Sequence, residues 1–417
     1  MDKLLIEGGA DLKGSIKIKG SKNSALPILV SSLLSNETLI LKNLPLLDDI
    51  SNMIKLLENY GVIVSRNKDE VNLNCNNIVN KNADYDIVRK MRASILILGP
   101  LISRFGKAKI SLPGGCAIGT RPIDIHLDGL SRLGAKFSID SGYVVGEVEN
   151  KLIGNHIPLS FPSVGATESI MMASSLALGK TIIENAAMEP EILDLSKSLN
   201  SMGAKIKTNN SGVIEIEGVK NLTKATHKIM SDRIVAGTFI IVAVMLNKKF
   251  EVQDIETNHL EALFYALEKM GAKLKIKKNS IQIIPSKKLT GINIETAPYP
   301  GFPTDLQAQL MALMSIVDGD SQIKENIFEN RYMHVPELNR LGADIKVKKD
   351  LAFIRGNRKL KGAQVMASDL RASVSLVLAA LCAEGNSVIN RVYHLDRGYE
   401  KIENTLGRLG PSIKREK

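Results

Sequence analysis

Two kinds of hydrophobic segment alternate along the chain. One is apolar on nearly every face: residues 25–30 after Lys22, 95–98 after Arg92, 170–173 after Ala166, 239–242 after Arg233, 310–313 after Asp305 and 374–378 after Arg371. Helices of that kind belong inside a core. The other kind is amphipathic and ends on a glycine followed by a short strand pattern, at Gly61, Gly134, Gly203, Gly271, Gly342 and Gly410. One such glycine is an ordinary left-handed helix cap. Six of them, spaced by 68 to 73 residues, are an internal repeat. Each unit reads as buried helix, strand, amphipathic helix, strand, strand, which predicts an α/β fold. The unit is too long for a thin solenoid, and six units divide into two domains of three, with the break expected at 226–232.

Bulk properties agree and remove some functions. A chain of 417 residues exceeds the ~250–300 at which one core stops growing. The net charge of +11 fits a nucleic-acid binder, a solubility effect or an enzyme for anionic substrates. Its cations are scattered, in pairs such as Lys248–Lys249 and Lys287–Lys288, and there is no tryptophan for base stacking. No nucleic-acid partner is therefore expected. The cysteines, 75, 116 and 382, are odd in number and far apart, which points to a reducing compartment. Cys382 sits in an apolar run and Cys75 in a strand pattern. No Cys-x-x-Cys or paired-histidine spacing occurs, so no metal is expected. The N-terminus lacks a signal-peptide pattern, and no apolar stretch reaches the ~18 residues of a membrane span. A cytoplasmic protein without membrane insertion is expected.

Two features carry candidate chemistry. In the stretch 111–122, Pro113 and Pro122 bracket Gly114, Gly115, Gly119, Cys116 and Arg121. The glycines free the backbone and a nearby cation lowers a thiol's pKa, so Cys116 is either a reactive thiol on a loop or an incidental turn residue. Second, Lys22, Arg92, Arg233 and Arg371 stand at the starts of four buried helices, where a cation opposes the helix dipole. Four such placements point to helix starts that gather an anionic ligand. The fifth start carries Thr304 and Asp305 instead, either as a helix cap or as a carboxylate placed to accept a proton.

Seven stretches together resemble one family: 20–27 (Gly-Ser-Lys-Asn-Ser-Ala-Leu-Pro), 90–94, 113–122 with Cys116, 301–309 with Asp305, 329–337 with Arg331, 369–373 with Asp369 and Arg371, and 394–400 with Arg397. They resemble the UDP-N-acetylglucosamine 1-carboxyvinyltransferases, over about residues 1–415. The sister family, the 5-enolpyruvylshikimate-3-phosphate synthases, shares the fold and lacks the cysteine loop. The resemblance implies an inside-out α/β barrel of two similar domains, each of three β-α-β-α-β-β repeats. One would span 22–229 and carry the Cys116 loop; the other would be discontinuous, 1–21 with 230–417.

The same resemblance implies transfer of enolpyruvate from phosphoenolpyruvate to the 3′-hydroxyl of UDP-N-acetylglucosamine, with release of phosphate and without a cofactor. By carry-over, Lys22, Arg121 and Arg397 would bind phosphoenolpyruvate, and Asn23 would hold the tetrahedral intermediate. Arg92, Arg121, Pro122, Ile123, Asp124, Ile125, Ser163, Val164, Gly165, Asp305 and Ile327 would contact the UDP-sugar. Asp305 would take the hydroxyl proton and Cys116 would protonate phosphoenolpyruvate. Arg331, Asp369 and Arg371 would complete the charged set, with Arg233 more structural and His126 and His334 serving as hydrogen-bonded core residues. Cys116 also implies alkylation by the epoxide fosfomycin. The alternatives are a shikimate-type transferase and a catalytically silent UDP-sugar-binding relative.

Overall fold

The computed structural model of the chain describes residues 2–67, 70–79, 88, 91–112, 123–209 and 211–417. Residues up to Lys19 together with Ser231–Lys417 form one compact unit, and the described residues between 20 and 230 form another. Each has its own hydrophobic core.

In the unit built from 20–230, the apolar segments become the helices Lys22–Ser31, Leu98–Phe105 and Val164–Ser174. In the other unit they become Arg233–Met245, Gln307–Met314 and Leu370–Cys382. Five are buried along nearly their whole length, as uniformly apolar helices must be, and Leu98–Phe105 is buried over its first five residues. Two begin later than the sequence pattern suggests. A 3-10 turn, Arg92–Ile97, precedes Leu98. Another, Thr304–Leu306, precedes Gln307.

The amphipathic helices are Asp48–Asn59, Asp124–Arg132 and Pro190–Ser201 in one unit, and Glu261–Lys269, Val335–Arg340 and Ile402–Arg408 in the other. The six repeat glycines just beyond them all have φ between 90° and 119°, the region a side chain resists.

The sheets follow one rule. In five of the six sheets the strand after a buried helix pairs in parallel with a short edge strand and antiparallel with a second strand, which pairs with a third; in the sheet of Lys107–Ser111 the described residues show only the antiparallel pairings. Thus Leu39–Lys42 lies between Ala225–Lys228 (parallel) and Glu70–Asn74 (antiparallel). In the other unit Phe250–Gln253 lies between Ser15–Lys17 and Ser280–Ile284. The edge strands ahead of the first and fourth buried helices are therefore exchanged: 15–17 precedes the Lys22 helix in sequence but completes the fourth repeat, and 225–228 completes the first. The sixth repeat departs from the regular unit in a second way. Its hairpin strand is missing, and Lys3–Glu7 takes that place, antiparallel to both Asn386–Asn390 and Ile413–Glu416. Among the described residues, no helix is long and apolar enough to cross a membrane.

Candidate active site

The helix starts are matched by carboxylates supplied by the fold. Asp232 and Asp369 cap the Arg233 and Leu370 helices, each through one side-chain oxygen that accepts two backbone amides. For Asp369 these are Arg371 N at 2.8 Å and Ala372 N at 3.1 Å. A carboxylate there complements the positive helix end and offsets the arginine beside it. Lys22 is matched otherwise: its Nζ lies 3.1 Å from Oδ2 of Asp49, which is 2% exposed on the neighbouring amphipathic helix.

Asp305 is no cap. Its carboxylate instead accepts Nη2 of Arg331 at 2.7 Å on Oδ1 and Nη2 of Arg371 at 2.6 Å on Oδ2. Both arginines are buried, while Asp305 keeps about a quarter of its side chain exposed. Arg331 also reaches the Thr304 carbonyl at 3.2 Å, which fixes the turn carrying Asp305. Behind this pair lies a buried polar relay. Gln309 Nε2 donates to the Asp305 carbonyl and to Thr238 Oγ1, and the Thr238 hydroxyl is 2.8 Å from the Tyr399 hydroxyl. Tyr399 is two residues beyond Arg397. His394, partly buried on the same segment, is held below the ordinary imidazole pKa by burial first and by Arg397 next, with Asp369 opposing.

Ile327 is placed by Glu325, a residue the sequence reading missed. The Glu325 Oε1 accepts Thr296 Oγ1 and the amides of Ile327 and Phe328, and its Oε2 accepts Thr304 Oγ1. So Asp305, Ile327, Arg331, Asp369, Arg371 and Arg397 fall within one unit, where Glu325 joins the Ile327 segment to the Thr304 turn and Asp305 joins Arg331 to Arg371.

The other unit gathers a second group. The Arg92 turn packs on both the Lys22 and Val164 helices, and the Asp124 helix packs on the Val164 helix. Ser163 caps that helix by accepting Ala166 N. A side chain at Gly165 would meet the His126 Nε2 at 2.8 Å, so glycine is required for the close approach. This brings the segments 123–125 and 163–165 side by side, with Asn23 next to Lys22. One turn on, Glu168 is fully enclosed, and burial, then Glu191 and Glu189, push its pKa well above the ordinary carboxylate range. Sequence periodicity gives no hint of it, because it lies among apolar residues on a buried helix. Cys116, Arg121 and Pro122 lie outside the described residues.

Comparison with known proteins decides the family. A family model described as EPSP synthase (3-phosphoshikimate 1-carboxyvinyltransferase) matches residues 6–406. The UDP-N-acetylglucosamine 1-carboxyvinyltransferase of Pelagibacter ubique is 52% identical over 415 residues, covering 100% of both chains. That of Geobacter metallireducens is 48% identical over 417 residues, again covering 100% of both. The chain belongs to the UDP-N-acetylglucosamine 1-carboxyvinyltransferase family. The fold agrees: the enolpyruvyl transferase NikO from Streptomyces tendae superposes with a TM-score of 0.90 at 22% identity, over 99% of this chain and 98% of that one.

As a UDP-N-acetylglucosamine 1-carboxyvinyltransferase family member, the chain has two described thiols unsuited to chemistry. Burial pushes Cys75 up to about 11 and Cys382 up to about 12. His334 is equally enclosed, with Nε2 3.2 Å from Met311 Sδ. Arg233 stacks its guanidinium 5.7 Å from the Tyr299 ring centre.

Proposed function

We infer that this chain transfers the enolpyruvyl group of phosphoenolpyruvate to the 3′-hydroxyl of UDP-N-acetylglucosamine and releases phosphate, the first committed step of peptidoglycan synthesis. The observation that carries this reading is the identity of about half the residues, end to end, with relatives bearing that activity in their names.

The chemistry assigned to the residues is as follows. Lys22, Arg121 and Arg397 hold the phosphate and carboxylate of phosphoenolpyruvate, which suit ammonium and guanidinium donors. The 3′-hydroxyl oxygen adds to C2 of phosphoenolpyruvate while Asp305 takes the hydroxyl proton and Cys116 delivers a proton to C3. Asn23 helps to hold the resulting tetrahedral intermediate. Return of a proton from C3 to the Cys116 thiolate and breakage of the bond from C2 to the phosphate oxygen then give product and inorganic phosphate, the proton on Asp305 leaving with the phosphate. Arg92, Arg121, Pro122, Ile123, Asp124, Ile125, Ser163, Val164, Gly165, Asp305 and Ile327 contact the UDP-sugar. Arg331, Asp369 and Arg371 complete the charged substrate-binding set, with Arg331 and Arg371 also aiming the Asp305 carboxylate. The grip of Arg331 and Arg371 on Asp305 supports its role, because a general base must be held at a fixed place to act.

Neither metal nor organic cofactor enters this scheme, since phosphate is a competent leaving group and the cations neutralise it. Fosfomycin acts as a covalent inhibitor: the Cys116 sulfur opens the epoxide, forming a C–S bond while the ring oxygen takes a proton. The protein works in the cytoplasm, where both substrates are made. The test is phosphate release from phosphoenolpyruvate by the purified chain with UDP-N-acetylglucosamine or shikimate 3-phosphate as acceptor. Turnover with the UDP-sugar alone is expected. Turnover only with shikimate 3-phosphate overturns the reading, and none with either acceptor points to a silent relative.

A further inference from the structure

The first turn of the Lys22–Ser31 helix is held from two sides by two buried carboxylates. On one side Asp49, from the helix Asp48–Asn59, takes the Lys22 ammonium. On the other stands Asp194, from the helix Pro190–Ser201, a residue with no part in the scheme above. Its Oδ2 accepts the Ser24 hydroxyl at 2.5 Å and the Met230 amide at 3.1 Å, and its Oδ1 lies 3.0 Å from the His227 Nε2. Ser24 is 0% exposed and Asp194 6%. The Met230 carbonyl in turn accepts the Ser21 amide at 2.7 Å, so the network closes on the residue that caps the same helix.

A carboxylate in such a place is costly. Removing it from water is unfavourable unless its oxygens are well satisfied, and the two helices already pack against each other. Apolar contact holds helices together but is non-directional, so it leaves rotation and sliding of the Lys22 helix weakly fixed. The bonds from His227 and Met230 hold the Asp194 carboxylate in place, and its third bond, from the Ser24 hydroxyl, passes that fixed point to the Lys22 helix.

We propose that Asp194 is a positioning residue for the reaction: through Ser24 it sets the first turn of the Lys22 helix and hence the places of Lys22 and Asn23. The proposal rests on the function inferred above for its link to phosphoenolpyruvate. A displacement near 1 Å at a reacting or binding group lowers rates on the order of a hundredfold, so a partial loss of this tether is felt at the substrate.

The experiment compares Asp194→Asn, Ser24→Ala and the double variant in the phosphate-release assay on the purified chain. Each single variant raises the KM for phosphoenolpyruvate roughly tenfold and leaves the KM for UDP-N-acetylglucosamine within about twofold. The double variant is no worse than Asp194→Asn, because both break the same tether. Parallel rises in both KM values, additive effects, or an unchanged KM for phosphoenolpyruvate in Ser24→Ala overturn the proposal. Should Asp194→Asn fail to fold, Ser24→Ala decides alone, since it removes one hydroxyl and leaves the other bonds of Asp194. Amide hydrogen exchange over residues 22–28 needs no turnover and rises in both variants. If the wild-type chain is inactive with the UDP-sugar, the inferred function fails; unchanged exchange then overturns the tether as well, and faster exchange upholds it.

Discussion

The Asp305 carboxylate lies 2.6 Å from Nη2 of Arg371, and the two residues occupy equivalent places at the starts of the buried helices in the fifth and sixth repeats. A repeat that carries a cation at most of its helix starts thus carries an anion at one, and the odd member pairs with its neighbour. Capping is left to Asp369, two residues before Arg371. The Asp305 side chain instead turns both of its oxygens to Arg331 and Arg371.

Replacing Asp305 by Asn keeps the shape and removes the charge. A general base contributes on the order of 10²- to 10⁴-fold, so phosphate release falls by at least about a hundredfold. Arg331 and Arg371 stay buried with a neutral partner, which costs about 1–3 kcal/mol of stability. Steady-state kinetics and a urea titration measure the two effects separately. A variant that loses stability but keeps its kcat would remove Asp305 from the proton transfer.

Glu325 acts at one remove. Its two oxygens serve two hydroxyls and the amides of Ile327 and Phe328, and an amide nitrogen in place of one oxygen cannot accept. In Glu325→Gln the Ile327 segment or the Thr304 turn loses its anchor. The KM for UDP-N-acetylglucosamine then rises about three- to tenfold, in line with the loss of about 1 kcal/mol per hydrogen bond. The KM for phosphoenolpyruvate stays near its wild-type value.

The repeat was legible because its signals are local. A glycine cap and an apolar run each declare themselves within a few residues, and Gly61 and Gly410 do so at opposite ends of the chain. The candidate groups Lys22, Asp305 and Arg371 could be read for the same reason, since each breaks the pattern of the helix it starts. Their partners could not. Asp49 and Asp194 are ordinary polar residues of amphipathic helices, and only the packing of distant elements turns them toward Lys22 and Ser24. The strand Ser15–Lys17 has three residues and no alternation to read. Its choice of the fourth sheet over the first is a matter of topology, which no local pattern encodes.

Acid sensitivity has one identifiable source in His334. Burial pushes its pKa from 6.5 down to about 4; Asp369 opposes the shift, and Arg331 adds to it. A lowered histidine pKa means that the unfolded chain binds the proton first as pH falls. The neutral-ring contribution is complete above about pH 6.5 and is lost as pH drops toward about 4. By linkage that loss amounts to about 3 kcal/mol at most. Urea titrations between pH 7.5 and 4 are expected to show the decline in the wild type and a shallower one in His334→Gln. Parallel slopes would assign the acid sensitivity to other groups.

Thiol chemistry separates the three cysteines. At pH 7.5, a thiol raised to about 11 or 12, as burial raises Cys75 and Cys382, is thiolate in fewer than about one molecule in a thousand. The thiolate is the nucleophile, so neither should react with fosfomycin on the timescale of minutes. Intact mass after incubation should show a single adduct per chain, mapped by peptide digestion to Cys116. Cys116→Ser should remove the adduct and most of the turnover, because a hydroxyl is a poor acid at this pH. Cys116→Asp discriminates further: a carboxyl group can still deliver a proton but opens an epoxide far more slowly than a thiolate. That variant should keep measurable phosphate release in the presence of fosfomycin. An adduct on Cys75 or Cys382 would overturn the ranking of the thiols, and full turnover in Cys116→Ser would take the acid role away from Cys116.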